Sequence, residues 1–228
     1  VTKLPVLFVS CNAENIQTQS GGCSGPARMI WGKRFKSVVV MSTRSDQAGP
    51  ELHILKGKGT TAGKIQALLS GQGFTPEIGS TSSSDRARLL EALLAEEPHE
   101  VTELILNTGM SEHEYRQVGL CLEVLREQDV LVICLDDKAN HKDKVGVSLH
   151  DRRLREMLSG WEQDQKWGAV MSFKGASERS QQIARLDDPT VCLLNAAFTL
   201  GGSQFPQRMF SSGMNNAEQT LSGFGWMK

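Results

Sequence analysis

The chain has 228 residues, 39% of them hydrophobic and 22% charged, which is enough apolar material for one large core. A formal net charge of -1 argues against a general polyanion binder, so duplex DNA is not an expected partner. No run approaches the roughly 18 apolar residues that a membrane span needs.

The five cysteines, Cys11, Cys23, Cys121, Cys134 and Cys192, form no C-x-x-C pair and are odd in number. That spacing suits neither zinc nor a disulfide framework, so no metal is expected and a reducing, cytoplasmic setting is the natural reading.

In chain order, "LPVLFVS" (4–10) reads as a first strand rather than a secretory signal, and it ends in Ser10, Cys11 and Asn12. A loop holding "SGGCSG" (20–25) precedes an expected helix around 27–33. "KSVVVMSTR" (36–44) is a second strand, followed by a helix around 60–71 and a short strand within 74–80. "SSSDRARLLEALLAEE" (82–97) sets Leu89, Leu90, Leu93 and Leu94 on one helical face behind a Ser/Asp cap. "VTELILN" (101–107) is a strand, 111–128 an amphipathic helix, and "DVLVICLDD" (129–137) a further strand. A short strand and helix are expected within 145–161. Residues 161–228, rich in Gly, Ser, Gln and Asn with scattered aromatics, are left open as a small second domain, an extension of the first, or a dimerisation element.

Apolar strands alternating with helices predict an α/β fold: an open, Rossmann-like parallel sheet with helices on both faces. Such sheets bind ligands beyond the carboxyl ends of their strands. Three strand ends here carry small polar groups: Ser10 with Asn12, Ser42 with Thr43 and Arg44, and Asn107 with Thr108 and Gly109. Together they predict a polar ligand crevice.

Several short motifs have both a functional and a plainer reading. "GKGTTAGKI" (57–65) does not match the G-x-x-x-x-G-K-[ST] phosphate loop, because neither Gly57 nor Gly59 has the right spacing to Gly63 and Ile65 stands where the hydroxyl must be, and it reads as a surface loop. "NAEN" (12–15) with "GGCSG" (21–25) resembles the Asn- and Gly-rich loop of macrodomains, without that family's later phosphate loop. Glu112 and Glu114 open a helix, where acidic residues stabilise the dipole and the cap. His113 between them is a candidate acid/base group at the ligand end of a strand–helix junction. No G-x-S-x-G nucleophile elbow is present.

The order "VLFVSCNAEN", "VVVMSTR" and "LILNTGMSEHEYRQVGLCLEVL", followed by "DVLVICLDD" and "VSLHDRRLREML", resembles the CARF family, the CRISPR-associated Rossmann-fold sensor domains, over residues 4–160. One branch of that family carries a Thr-Gly-Gly-Thr-Lys-like turn. This chain keeps Thr108 and Gly109 but has Met110, Ser111 and Glu112 where the second glycine, the threonine and the lysine would stand. The resemblance implies a cytoplasmic homodimer that binds a cyclic oligoadenylate, most often the tetra-adenylate, across its two-fold axis to control an effector in antiviral defence, without a cofactor. It places Ser10, Asn12 and Ala13 in the first-strand loop, Thr43 and Arg44 at the second strand's end, and Asn107, Thr108, Gly109, Met110 and Ser111 at the main junction. It also allows a metal-independent ring nuclease, in which a ribose 2′-OH attacks the neighbouring phosphate and His113 assists. A macrodomain-like or other Rossmann-like enzyme acting on a mononucleotide or ADP-ribose is the third reading. Residues 161–228 carry no recognisable nuclease motif.

Overall fold

The computed structural model describes residues 3–11, 35–45, 48–57, 59–80, 90, 94, 100–137, 189–204, 206–212 and 221–226. Their elements, in chain order, are β1 (Val6–Cys11), β2 (Ser37–Arg44), β3 (Leu52–Lys56), α1 (Thr61–Ser70), β4 (Glu77–Ser80), β5 (Val101–Asn107), α2 (Glu112–Leu122) with a 3₁₀ turn (Glu123–Glu127), β6 (Val130–Asp137), α3 (Pro189–Leu200), β7 (Gln207–Ser212) and β8 (Leu221–Trp226).

All eight strands form one sheet in the order β4-β3-β5-β2-β6-β1-β8-β7. Its centre is the parallel quartet β5, β2, β6 and β1. These are the four continuous apolar runs, and they read that way because a strand covered on both faces has no solvent side on which to place polar residues. Successive side chains point to opposite faces. Val6, Phe8, Val39, Met41, Leu104, Leu106, Val132 and Cys134 join α1, α2 and α3 in one core. Leu7, Val9, Val38, Val40, Leu131, Ile133 and Leu135 form a second core with the helical residues Leu90 and Leu94. Helical residues therefore cover both faces, and the fold is α/β and Rossmann-like.

The sheet is mixed rather than purely parallel. β3, a strand not expected from the sequence, runs antiparallel to β5, and β4 pairs parallel with β3. Its direction matters for the phosphate-loop question. The Gly-rich stretch that follows β3 lies at the amino edge of the parallel quartet, where Lys56 pairs with Thr102. That stretch is also less loop-like than expected, since α1 starts at Thr61 and buries Thr61, Ala62, Ile65 and Leu69.

The C-terminal elements continue the same sheet and core. β8 pairs antiparallel with β1, β7 closes that edge, and Trp226, Leu193, Leu194 and Leu200 lie in the core shared with α2. The helix α3 packs closely on α2. A Cβ on Gly119 would come within 2.1 Å of the Ala196 carbonyl oxygen and 2.2 Å of Thr199 Oγ1, so only glycine permits this approach. At the amino edge, fully buried Arg126 donates to three backbone carbonyls: Leu4 (2.7 Å), Leu200 (3.2 Å) and Trp226 (3.4 Å). One guanidinium thus ties the entry to β1 to the ends of α3 and β8. The 145–161 strand and helix, the boundary near residue 160, and the 27–33 helix lie outside the described residues.

Candidate functional site

The carboxyl edge of the parallel quartet brings several of the expected residues together. Arg44 pairs in register with Asn107 across β2 and β5. The Thr108 amide donates to the Arg44 carbonyl (3.0 Å), and the Thr108 hydroxyl donates to Ser45 Oγ (3.1 Å). Thr43, Asn107, Thr108 and Met110 are buried, Arg44 is half-buried, and Gly109, Ser111 and His113 are exposed. Ser45, one residue past the strand-like run at 36–44, joins the expected residues at this site.

Ser10 stands elsewhere on the edge. It pairs in register with Asp136, so β6 lies between it and β2, and two strand spacings separate them by about 10 Å. Asn12 and Ala13 lie outside the described residues, as do the remaining positions of the macrodomain-like stretches. Asp136 is the residue that sequence reasoning passed over. Met41 pairs with Cys134, so Thr43 two residues on lies level with Asp136. Asp136 is buried, and both of its carboxylate oxygens lie 3.1 Å from the Thr190 hydroxyl in the first turn of α3. The only signal was the acidic close of "VLVICLDD".

The junction between β5 and α2 is held by local polar bonds. Asn107 Oδ1 accepts from the Gly109 amide (3.2 Å), its Nδ2 reaches the Gly49 and Pro50 carbonyls (3.5 Å each), and the buried Tyr115 hydroxyl donates to the Asn107 carbonyl. Burial raises the Tyr115 phenol far above its ordinary range, so it remains a donor. Ser111 is the N-cap of α2 in a capping box. Its amide donates to Glu114 Oε2 at 2.6 Å, its hydroxyl lies 2.7 Å from the same oxygen, and the Glu114 amide donates back to that hydroxyl at 3.3 Å. Those bonds from Ser111 hold the Glu114 carboxyl below its ordinary range. Glu112 pairs with Arg116 at 2.6 Å. Both glutamates therefore serve the helix start, and His113 takes no part in the box.

Helix N-termini attract anions because free N–H groups point outward there. Each of the three described α-helices meets a carboxylate of the chain itself. The Thr61 amide of α1 donates to Glu100 Oε1 (2.7 Å), α2 has Glu114, and α3 has Asp136 beside Thr190. Gly59, at φ +117°, makes room for the Glu100 carboxylate, which a Cβ there would overlap. A phosphate at any of these N-termini would have to displace a negative charge. At this edge Arg44 is the cationic side chain among the expected residues.

Gly109 has a different character. It is exposed, its backbone lies outside the left-handed region, and an added Cβ would meet only Asn107 Oδ1 at 3.7 Å, an ordinary contact. Nothing within the described residues requires glycine there. Among the described residues no group of three or more His, Cys, Asp or Glu side chains is arranged to hold a metal. Cys121 and Cys134 are free thiols, and burial raises both away from the reactive thiolate. No described helix is long and apolar enough to cross a membrane.

No protein-family profile matches the chain, and no curated protein matches it. Among solved structures it is similar to an uncharacterized protein, JW3007, from Escherichia coli K12. The likeness has a TM-score of 0.60 at 10% sequence identity and covers 98% of this chain and 99% of that one. At that identity the likeness establishes the fold alone.

Proposed function

We propose that the chain is a CRISPR-associated sensor that binds a cyclic oligoadenylate, the tetra-adenylate foremost, at the carboxyl edge of its sheet across a homodimer, and so controls an effector in antiviral defence. The observation that carries this reading is Gly109. An exposed glycine with ordinary backbone and no steric neighbour is free to let a ligand approach the main chain closely. It lies between Thr108 and Ser111, whose hydroxyls suit ribose and base atoms, and Thr108 sits beside half-buried Arg44, a cation for phosphate. A two-fold symmetric ring suits an isologous dimer, in which each copy supplies the same contacts to half of the ligand.

The carboxylates at the helix starts define how such a ligand binds. They direct its phosphates towards side-chain cations and leave the junction to hydroxyls and bases. This differs from a family branch with a lysine in the turn, and Glu112 here is committed to Arg116.

Incubating the full chain with labelled cyclic tetra- and hexa-adenylate, followed by chromatography, tests the proposal. Retention of intact ring at one ring per two chains is the expected result. Linear product would reassign the protein as a ring nuclease and direct attention to exposed His113. No binding of either ring would overturn both readings. Light scattering at micromolar concentration should give a particle of two 25.0 kDa chains; a monomer in the presence of ligand would overturn the shared site.

A further inference from the structure

One polar side chain on α2 reaches both the start of its own helix and the buried helix beside it. Arg116 Nη2 lies 2.6 Å from Glu112 Oε1 in the first turn of α2, while its Nε donates to Asn195 Oδ1 on α3 at 3.1 Å. Asn195 is buried, and its Nδ2 donates to the Val191 carbonyl at 3.1 Å, so the amide is fixed with its oxygen towards Arg116. The Arg116 main chain is held as well, because the Thr199 hydroxyl donates to its carbonyl at 2.7 Å. Asn195 and Thr199 are four residues apart on one helical face, so α3 grips Arg116 by side chain and backbone together. The far end of α3 is anchored to the sheet through Thr190 and Asp136.

We propose that Arg116 is the positioning residue of the crevice: it fixes the first turn of α2, and with it the junction from Thr108 to Ser111, against α3. A simple surface ion pair between Glu112 and Arg116 would contribute little to that end, since exposed i,i+4 pairs are weak. The link to a buried, oriented amide is what gives the arginine a fixed point to pull from. Lysine at this position has no planar fork and cannot hold Glu112 and Asn195 in the same geometry. Because α3 also meets β6 at Asp136, the two walls of the carboxyl edge share one rigid support. The inference rests on the crevice reading for its functional meaning, though its first test needs no ligand.

Hydrogen exchange of the free, full-length protein decides the structural part. In Arg116→Gln, amides of residues 109–115 should exchange about tenfold faster, with the strands β5 and β6 unchanged. Arg116→Lys should restore only part of the protection. Asn195→Ala should reproduce the Arg116→Gln effect, and the double variant should add nothing further, as for two ends of one link. Additive effects, or exchange that rises evenly along α2, would overturn the positioning role. In the binding arm, Arg116→Gln should weaken retention of cyclic tetra-adenylate about tenfold while the thermal midpoint stays within a few degrees of the parent. Unchanged affinity beside faster exchange would overturn the functional half. If the parent binds no ring at all, the ligand reading fails, and the exchange arm still decides for or against Arg116.

Discussion

Glu114 Oε2 lies 2.6 Å from the Ser111 amide and 2.7 Å from the Ser111 hydroxyl, so a single carboxylate oxygen closes the start of α2. These bonds are stronger to the ionised carboxylate than to the neutral acid, which is why the folded-state pKa is lowered. The sign of the pH dependence follows from linkage. The cap's contribution is complete above the ordinary glutamate range and is lost as pH falls through the lowered folded value. Ser111→Ala should cost about 1 kcal/mol at neutral pH. Urea melts of parent and variant should differ most at neutral pH and less in acid, where only the Glu114 amide to Ser111 hydroxyl bond still separates them; a constant gap would show that the box does not titrate as described.

Arg126 should be the most costly single polar residue to remove. Burial lowers its pKa, with Glu123 and Glu127 opposing that shift, and it donates to neutral carbonyls at three separated points of the chain. Arg126→Met keeps much of the volume but leaves those carbonyls without their donor, at a cost on the order of 3 kcal/mol. Arg126→Lys should recover only part of it, because one ammonium cannot span all three directions. Chemical denaturation measures both; a loss below about 1 kcal/mol for methionine would mean that water replaces the guanidinium there.

Two helical glycines should respond to alanine with opposite signs. Gly63 in α1 is exposed, and an added Cβ would meet nothing within 4 Å, so Gly63→Ala should stabilise by about 0.5 kcal/mol through helix propensity. Gly119→Ala sets a methyl group into the Ala196 carbonyl and should destabilise by about 1–3 kcal/mol as α2 and α3 are forced apart. Thermal melts of the pair provide an internal control for composition, since the chemical change is the same.

The differing legibility of these elements has physical causes. The runs at 4–10, 36–44, 101–107 and 129–137 were plain because strands buried on both faces show unbroken apolar sequence, and the structure places β1, β2, β5 and β6 there. β3 was hidden because Leu52 to Lys56 is a five-residue stretch between Pro50 and Gly57 that buries only Leu52 and Ile54. Missing it also hid the reversal that turns the Gly-rich loop to the far edge of the sheet. Helix α3 carried no amphipathic signal because Thr190 to Ala197 are all buried, leaving no polar face to set a period. Pro189, suited to a first helical position, was the available cue. The same burial hid Asp136 and Asn195, whose roles depend on contacts 54 and 79 residues away.

The crevice itself is tested most directly at Gly109. Since the residue is exposed and a side chain meets no neighbour within the fold, Gly109→Leu should leave the thermal midpoint nearly unchanged while abolishing binding of cyclic tetra-adenylate. Thr108→Val removes the hydroxyl that reaches Ser45 and should cost about 1 kcal/mol, a several-fold loss of affinity. Glu114→Gln should act in the other direction. It removes the negative charge at the start of α2 while keeping an acceptor oxygen, so an anionic ligand should bind more tightly even as the helix start weakens slightly. His113→Ala separates sensing from cleavage: affinity should hold, and any ring opening by the parent should fall only if the imidazole takes part in it. The four variants together form a sign test on one surface, read by equilibrium binding beside thermal melts. If Gly109→Leu retains the ring as well as the parent does, the junction is only a turn between β5 and α2, and the ligand must be sought elsewhere on the sheet's edge.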